Sequence, residues 1–124
     1  MLTRKDWIIQ AQTVKASSTV AVESVVAYDT SGVKTHTTAG KFAGIAIEAG
    51  AAGETVRMYQ TGSFKMTFSS ISAADLYKPV YSLNGALSLT SATGALLIGT
   101  LVEFINSTTG FVLIDGQIGN AAAA

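Results

Sequence analysis

Few side chains in this sequence are of the kinds that carry out catalysis. The chain has one histidine, His36, and no cysteine, so thiolate chemistry and clusters of imidazole ligands are excluded. A serine triad would need His36 as its base, and no serine lies in a G-x-S-x-G turn. The phosphate-binding patterns G-x-G-x-x-G and G-x-x-x-x-G-K-[ST] do not occur either. We therefore expect a protein that is not an enzyme and that uses no cofactor and no metal ion.

Two glutamates are the only carboxylates whose placement suggests a pair. Glu48 and Glu103 each follow, by four residues, a glycine that opens an apolar run, Gly44 and Gly99. Paired carboxylates can serve as acid and base. The more ordinary interpretation is that each keeps a strand edge soluble or meets a neighbouring charge. His36 lies in a threonine-rich segment, where we expect its side chain to be exposed.

The clearest structural signal is residues 99–116, GTLVEFINSTTGFVLIDG. Two apolar runs rich in β-branched and aromatic residues, 101–105 and 111–114, flank the polar turn 106–110. This pattern predicts a β-hairpin with a loop of about four or five residues. Because the runs are apolar at nearly every position, we expect both faces of the hairpin to be buried.

An earlier segment has the same layout. Residues 44–62 contain an apolar run, a turn of small residues, a second predicted strand and a closing glycine. Upstream of the two segments, the pairs Tyr28–Gly32 and Tyr81–Gly85 have the same spacing. We interpret this similarity as an internal duplication of a small all-β unit.

Other short segments also predict strands separated by turns: residues 20–28, 33–38, 63–69, 80–82, 86–90 and 95–98. In residues 63–69, Phe64, Met66 and Phe68 alternate with polar residues, which is typical of a strand with one buried face. Ser72 and Asp75 are spaced as a capping box for a single helical turn. The sequence thus predicts an all-β fold, a small β-barrel or sandwich with an internal duplication.

Length and composition limit the possible partners. With 124 residues the chain is expected to form one domain. Apolar residues make up 48% and charged residues only 13%, which favours an oligomer that hides part of the surface. A formal net charge of zero argues against nucleic acid as a partner. We also expect no membrane association and synthesis in the cytoplasm, because no apolar run is long enough to span a bilayer and no secretory signal is recognisable.

Both ends of the chain differ from its middle. We expect residues 1–19 to form an extended N-terminal arm, residues 20–119 the β domain, and residues 120–124 a flexible tail. The arm combines basic residues with one compact apolar cluster that contains the tryptophan, as binding hot spots do. We predict that the arm docks on a neighbouring protein through these residues: Arg4, Lys5, Trp7, Ile8, Ile9 and Val14.

In several short motifs the chain resembles the capsid decoration proteins of tailed phages, also called cement or head-stabilising proteins. The motifs are Gly44-Ile-Ala-Ile, the segment AAGETV at 51–56, Gly62, the segment PVY at 79–81 leading to Asn84-Gly85, and LIG at 97–99. The resemblance covers residues 20–116. The chain departs from the pattern in its second turn, residues 106–110, which lacks Ala-Gly-Glu, and in its long arm and alanine tail.

The resemblance implies a mostly-β fold and homotrimers at the three-fold positions of an icosahedral shell. It also implies that the major capsid protein is the partner, that the protein sits on the exterior of the virion, and that it has no enzymatic activity and no cofactor. The composition fits such a role independently, because few charges suit an interface and an arm of twenty extended residues spans up to about 65 Å.

Two other functions remain open at this point. The first is another phage structural β-domain, in a tail tube or a baseplate, where apolar interfaces and extended arms are also used. The second is a small glycan-binding β-barrel, which would need exposed aromatic side chains that converge on a cleft. Its candidate residues are Tyr28, Tyr59, Tyr77 and Tyr81.

Overall fold

The computed structural model describes residues 9–13 and 18–123, which form ten β-strands and one 3-10 turn, Ala73–Asp75. The first five strands are β1 (Ile9–Thr13), β2 (Val25–Asp29), β3 (Gly32–Thr35), β4 (Lys41–Ala46) and β5 (Thr55–Tyr59). The other five are β6 (Gly62–Thr67), β7 (Pro79–Leu83), β8 (Ala86–Ser88), β9 (Leu96–Asn106) and β10 (Thr109–Ile114). They form two antiparallel sheets, so the prediction of an all-β fold is confirmed.

The two sheets have the same strand order. The first sheet is ordered β1-β5-β4-β2-β3 and the second is ordered β6-β10-β9-β7-β8. Each strand of the second sheet therefore stands where the strand five places earlier stands in the first. We call β1–β5 the first unit and β6–β10 the second unit. The duplication predicted from the sequence is visible here as one five-stranded topology used twice.

The strand registers repeat as well as the order. Both units have a register shift at the same place, where the second strand pairs with the fourth. The shift separates Val26–Gly44 from Ala27–Phe42 in the first unit, and Val80–Gly99 from Tyr81–Leu97 in the second. Because a β-bulge is a specific local feature, its recurrence supports a true duplication.

The registers correct the sequence alignment of the two units by one residue. The sequence pattern matches Tyr28 with Tyr81. In the structure Tyr28 lies opposite Val33 in the β2–β3 hairpin, and the residue at the same distance from the turn in β7–β8 is Ser82, opposite Leu87. The equal Tyr–Gly spacings therefore do not mark equivalent side chains.

Gly44 and Gly99 are the glycines that open the two apolar runs, and both allow two strands to approach closely. A Cβ atom on Gly44 would lie 2.5 Å from the carbonyl oxygen of Tyr59, and one on Gly99 would lie still closer to the carbonyl oxygen of Leu113. Gly44 also has a φ of +142°, a conformation that side chains with a Cβ rarely adopt. Close backbone approach explains why both positions are glycine.

The first unit is apolar on both of its faces. One face forms a cluster that we call the inner cluster, whose members are all 6% exposed or less: Val20, Val26, Val33, Ala43, Ala46, Val56 and Met58. The first sheet curls around this cluster, so that β1 approaches β3. The opposite face contributes Phe42 and Ile45 to the main core of the protein.

The main core is largely built from the second unit. Its residues Val80, Ile98, Leu101 and Val112 correspond to Val26, Ala43, Ala46 and Met58 of the inner cluster. The outer face of the first unit therefore packs on the inner face of the second unit. Each fully buried large side chain in this contact contributes about 2–3 kcal/mol to folding.

The β9–β10 hairpin differs from the prediction in two respects. Only two residues separate Asn106 from Thr109, because β9 includes the first residue of the predicted loop and β10 begins at its fourth. Only one face is buried: Leu101 is inaccessible, whereas Ile105 and Leu113 are 41% and 36% exposed. The runs are apolar on both faces, but a second layer of the protein covers only one of them.

Several local predictions are confirmed. The Ser72 N–H donates to the Asp75 carboxylate at 2.9 Å around the 3-10 turn. Asn84 and Gly85 have positive φ angles of 51° and 81° between β7 and β8, as a tight hairpin turn requires. The alternating side chains of β6 and the residue after it are buried: Phe64, Met66 and Phe68.

Residues 120–123 are hydrogen-bonded to both halves of the protein, which differs from the flexible tail that we expected. The Ala122 N–H donates to the Gly40 carbonyl at 2.9 Å, and the Ala123 N–H donates to the Ala95 carbonyl at 2.9 Å. These bonds use only backbone groups. A run of alanines can therefore be held in place without large side chains.

Candidate functional site

The interface predicted from the sequence lies mostly outside the described residues. Five of its six candidates fall in residues 1–8 and 14–17: Arg4, Lys5, Trp7, Ile8 and Val14. Ile9 is the first residue of β1 and lies opposite Tyr59 of β5. The interface itself stays a prediction.

β1 is the described part of the predicted arm. It lies at the edge of the first sheet and pairs with β5 in antiparallel register, from Ile9–Tyr59 to Thr13–Thr55. Residues 9–13 are thus extended, and they pair within their own chain. The strand predicted for residues 20–28 begins only at Val25, and Val20 instead exchanges two 2.9 Å backbone hydrogen bonds with Gly50. Residues 1–8, which precede β1, lie outside the described residues.

The outer faces of the two units carry equivalent rows of side chains. The first outer row consists of Val25, Ile45 and Tyr59, which lie opposite one another on three adjacent strands. The second outer row, in the same register, consists of Pro79, Thr100 and Leu113. The first row packs in the main core, where the rings of Tyr59 and Phe64 are 5.5 Å apart. The second row lies at the surface, since Pro79 and Leu113 are exposed.

The position two residues before Tyr59 on β5 carries a charge, whereas the equivalent position on β10 carries an aromatic ring. The Arg57 guanidinium donates to Glu48 through Nη2 at 3.1 Å and through Nε at 3.4 Å. This hydrogen bonding lowers the pKa of Glu48 because it stabilises the carboxylate. In the second unit Phe111 stands in the place of Arg57, opposite Glu103. The two glutamates thus hold corresponding positions in different units, Glu48 in the bend after β4 and Glu103 in β9. Glu48 meets a neighbouring charge.

His36 is buried, so the expectation that it is exposed was wrong. Its Nε2 atom lies 3.2 Å from the Gly94 carbonyl oxygen, and its Nδ1 atom lies 3.2 Å from the Ser82 hydroxyl. Because a carbonyl only accepts, Nε2 donates and Nδ1 accepts from Ser82. Burial lowers the pKa of His36, although the hydrogen bond to Gly94 acts in the opposite direction. His36 is therefore a neutral polar link between the two units.

In the described part of the chain, three of the surface clefts are large enough to consider, and none of these three collects the tyrosines that a glycan site would need. A cleft of about 260 Å³ beside His36 is lined by both Glu23 and Lys65. A second, of about 510 Å³, lies between Tyr28 and residues 121–123. Tyr28 also lines the third cleft, whereas the other tyrosines proposed for glycan binding line none of the three: Tyr59, Tyr77 and Tyr81.

Tyr77 is an exposed aromatic side chain, and the only role predicted for it from the sequence is a glycan contact. It is 75% exposed and has a positive φ of 68°, which costs about 1 kcal/mol in a residue with a Cβ. Its N–H donates to the Leu101 carbonyl at 2.6 Å, and the Asp75–Lys78 ion pair at 2.8 Å closes the turn beside it. The turn holds the ring outward, as a contact for another protein would require.

Among the residues that the structure describes, no group of three acidic or histidine side chains is placed to hold a metal ion. Over residues 9–13 and 18–123, no helix is long and apolar enough to cross a membrane. No protein-family model, curated protein or solved structure matches the chain. Its own residues and geometry are therefore the basis for a functional proposal.

Proposed function

We propose that this protein is a structural component of a tailed-phage virion, a capsid decoration protein without enzymatic activity. It binds the outer surface of the head and clamps neighbouring major capsid proteins. The observation that carries the proposal is β1, because it shows that the chain directly after the predicted anchors forms main-chain pairs at a sheet edge. Strand addition to an edge is a common mode of protein recognition.

The motifs that resemble decoration proteins support the proposal through their structural roles. Gly44 and Gly99 permit the close approach of two strands in each unit. Asn84 and Gly85 form the tight turn of the β7–β8 hairpin. The two glycines are required in both copies of the β unit, and the Asn-Gly turn is required in one hairpin. The resemblance therefore concerns the framework of the protein rather than isolated surface residues.

In the proposed mode of attachment, residues 1–8 extend from the edge strand to the shell. Trp7 and Ile8 fill pockets there, and the backbone adds to an exposed edge of the major capsid protein. A single arm of this length binds weakly, because about 1 kcal/mol per hydrogen bond is offset by the ordering of the chain. A homotrimer on the capsid exterior engages three arms at once, and this linkage raises the overall affinity.

The experiment compares the full chain with a variant that lacks residues 1–8 and keeps β1. Both are mixed with expanded capsids that lack their decoration protein, and binding is measured by co-sedimentation. We expect the truncated protein to keep its fold and its oligomeric state and to lose saturable binding. A chain in which residues 1–8 are scrambled is the matched control, because it keeps charge and length but moves the tryptophan.

Saturation of capsids by the truncated protein would show that the arm is not the anchor. Electron microscopy of particles that carry the labelled protein tests the location directly. Density on the head exterior supports the decoration role, and density confined to the tail tube or baseplate would overturn it in favour of that other structural role.

A further inference from the structure

The outer face of the second sheet carries apolar side chains where a sheet with one solvated face usually has polar ones. On β10, Phe111 and Leu113 point away from the buried side chains of Val112 and Ile114. Their cross-strand neighbours lie on the same face. We call this surface the second outer face, and its residues are Ser63, Lys65, Thr100, Glu103, Phe111 and Leu113.

The corresponding face of the first unit shows what such a surface does in this fold. There Ile45 is fully buried and Tyr59 packs against Phe64, because the second unit covers them. In the second unit Leu113 stands in the place of Tyr59 and is 36% exposed. Within residues 9–13 and 18–123, no third unit packs on it. Apolar surface of this kind favours a partner that removes it from water.

The outer face of the first unit packs on the inner face of the second, so the two units form a stack. A second copy of the chain cannot cover the second outer face by extending this stack. In such a stack, Leu113 and its neighbours would insert into the inner face of the next copy's first unit. That inner face is already closed, because every member of the inner cluster is 6% exposed or less. A cover must therefore come from a segment that does not belong to either packed unit.

We propose that residues 1–8 of the same chain cover the second outer face. β1 runs antiparallel to β5, and Ile9 lies opposite Tyr59. The segment before Ile9 is therefore expected to run in the same direction as the end of β5. Two residues after β5 the chain enters β6, which contains Ser63 of the second outer face. Eight extended residues reach about 26 Å, and this length crosses several strands at about 4.8 Å each.

The composition of residues 1–8 complements that of the second outer face. Trp7 and Ile8 supply large apolar groups for Phe111 and Leu113. The charges are complementary as well. Glu103 and Lys65 flank Phe111 across the strands, and residues 1–8 carry the opposite charges in Arg4, Lys5 and Asp6. The inference concerns the protein before it attaches to a capsid and does not rest on capsid binding. In the attachment proposed above, residues 1–8 leave this face and extend to the shell.

Tryptophan fluorescence tests this inference, because Trp7 is the sole tryptophan of the chain. In the full-length protein we expect blue-shifted emission and strong protection from acrylamide quenching. In Leu113→Asp the emission should shift to the red and the quenching constant should rise severalfold. Val22→Asp places the same charge at a site that is 54% exposed and lies outside the second outer face, and it should leave both signals unchanged.

Circular dichroism and urea unfolding check that each variant is folded, and Leu113→Ser replaces Leu113→Asp if the charge prevents folding. Quenching of Trp7 in the native chain as fast as in urea would overturn the inference. Equal protection in the native chain and in the folded Leu113 variant would place the arm on another surface. Protection that disappears on dilution, together with a falling mass in light scattering, would assign the cover to the arm of a second copy.

Discussion

The two five-stranded units share strand order, register and bulge, yet one outer row is buried and the other is exposed. Ile45 and Tyr59 of the first unit lie in the main core, whereas Thr100 and Leu113 lie at the surface in the second. Two residues before Tyr59 on the same strand, Arg57 pairs with Glu48 in the first unit, but Phe111 holds the equivalent place in the second. The same backbone unit can thus have a buried or an exposed outer face. The side chains on that face, and the unit that packs against it, decide which of the two occurs.

The largest difference that we expect concerns the edge strands β1 and β6, which hold equivalent positions. Deletion of residues 1–13 removes β1 and leaves β5 as an unpaired edge of the first sheet. We expect a loss on the order of 3–5 kcal/mol in the free energy of unfolding, from several lost hydrogen bonds. We also expect self-association through the new edge. Urea unfolding and size-exclusion chromatography measure both effects. A deletion of residues 1–8 keeps β1 and is the matched variant, which should lose less stability. Equal stability of the two variants would contradict the role of β1.

The equivalent glycines sharpen the comparison of the two bulges. Gly44→Ala and Gly99→Ala should each cost about 2–4 kcal/mol, because the new Cβ meets a carbonyl oxygen of the neighbouring strand. Gly44→Ala should cost more, since its positive φ adds strain. Gly53→Ala is the control, with a positive φ but no atom within 4 Å, and should cost about 1 kcal/mol. Calorimetric unfolding gives the order, and a tolerated alanine at either bulge would show that the strands can separate.

His36 links the units, whereas its equivalent in the second unit, Thr90, is exposed. Loss of its buried hydrogen bonds in His36→Gln should cost about 2–3 kcal/mol, while Thr90→Ala should change little. Because burial lowers the pKa of His36 below its ordinary value of 6.5, the unfolded chain binds the proton more readily. Stability should therefore fall as the pH drops below 6.5, and level off below the folded pKa.

Urea unfolding measured from about pH 8 to about pH 5, a range that spans the ordinary pKa of histidine, tests this dependence. Lys34 adds to the lowering of the pKa, and Glu23 and Lys65 line the adjacent cleft. Variants of these three residues therefore separate their contribution to the lowered pKa of His36 from the contribution of burial. A pH dependence that persists unchanged in His36→Gln would assign the effect to the carboxylates instead.

The smallest effect should come from the ion pair that distinguishes Arg57 from Phe111. The pKa of Glu48 is lowered by its hydrogen bond with Arg57, so its stabilising effect is present at neutral pH and is lost as the pH falls through that lowered pKa. Glu48→Gln should lower the melting temperature only slightly, because the pair is exposed and screened by salt. Glu103→Gln is the matched variant. Thermal unfolding at low and at high salt compares the melting temperatures of the two variants.

Local patterns in the sequence predicted much of the secondary structure. The alternation of Phe64, Met66 and Phe68 predicted the buried face of β6, and Asn84-Gly85 predicted a tight turn. These succeed because the side-chain alternation and the backbone conformation of a short segment depend on its own residues. The duplication was also visible, although the Tyr28–Tyr81 match is one residue out of register.

The errors concern properties that depend on distant parts of the chain. Nothing near His36 shows that Ser82 and Gly94 will enclose it. The alanines at residues 121–123 offer only methyl groups, and the positions of their backbone hydrogen-bond partners depend on distant segments of the chain. Of the candidate interface, only Ile9 is placed, and it is placed by pairing with Tyr59, fifty residues away in sequence.

The sequence by itself determined that the chain is built from short strands, that a unit of them occurs twice, and that catalytic groups are scarce. Those properties follow from residue types and their spacing along a few consecutive positions. Only the tertiary structure decided which apolar face is buried, since the runs around Ile45 and Leu113 are both apolar and only one has another sheet against it. Burial depends on what a face packs against, and that is fixed when the two units come together.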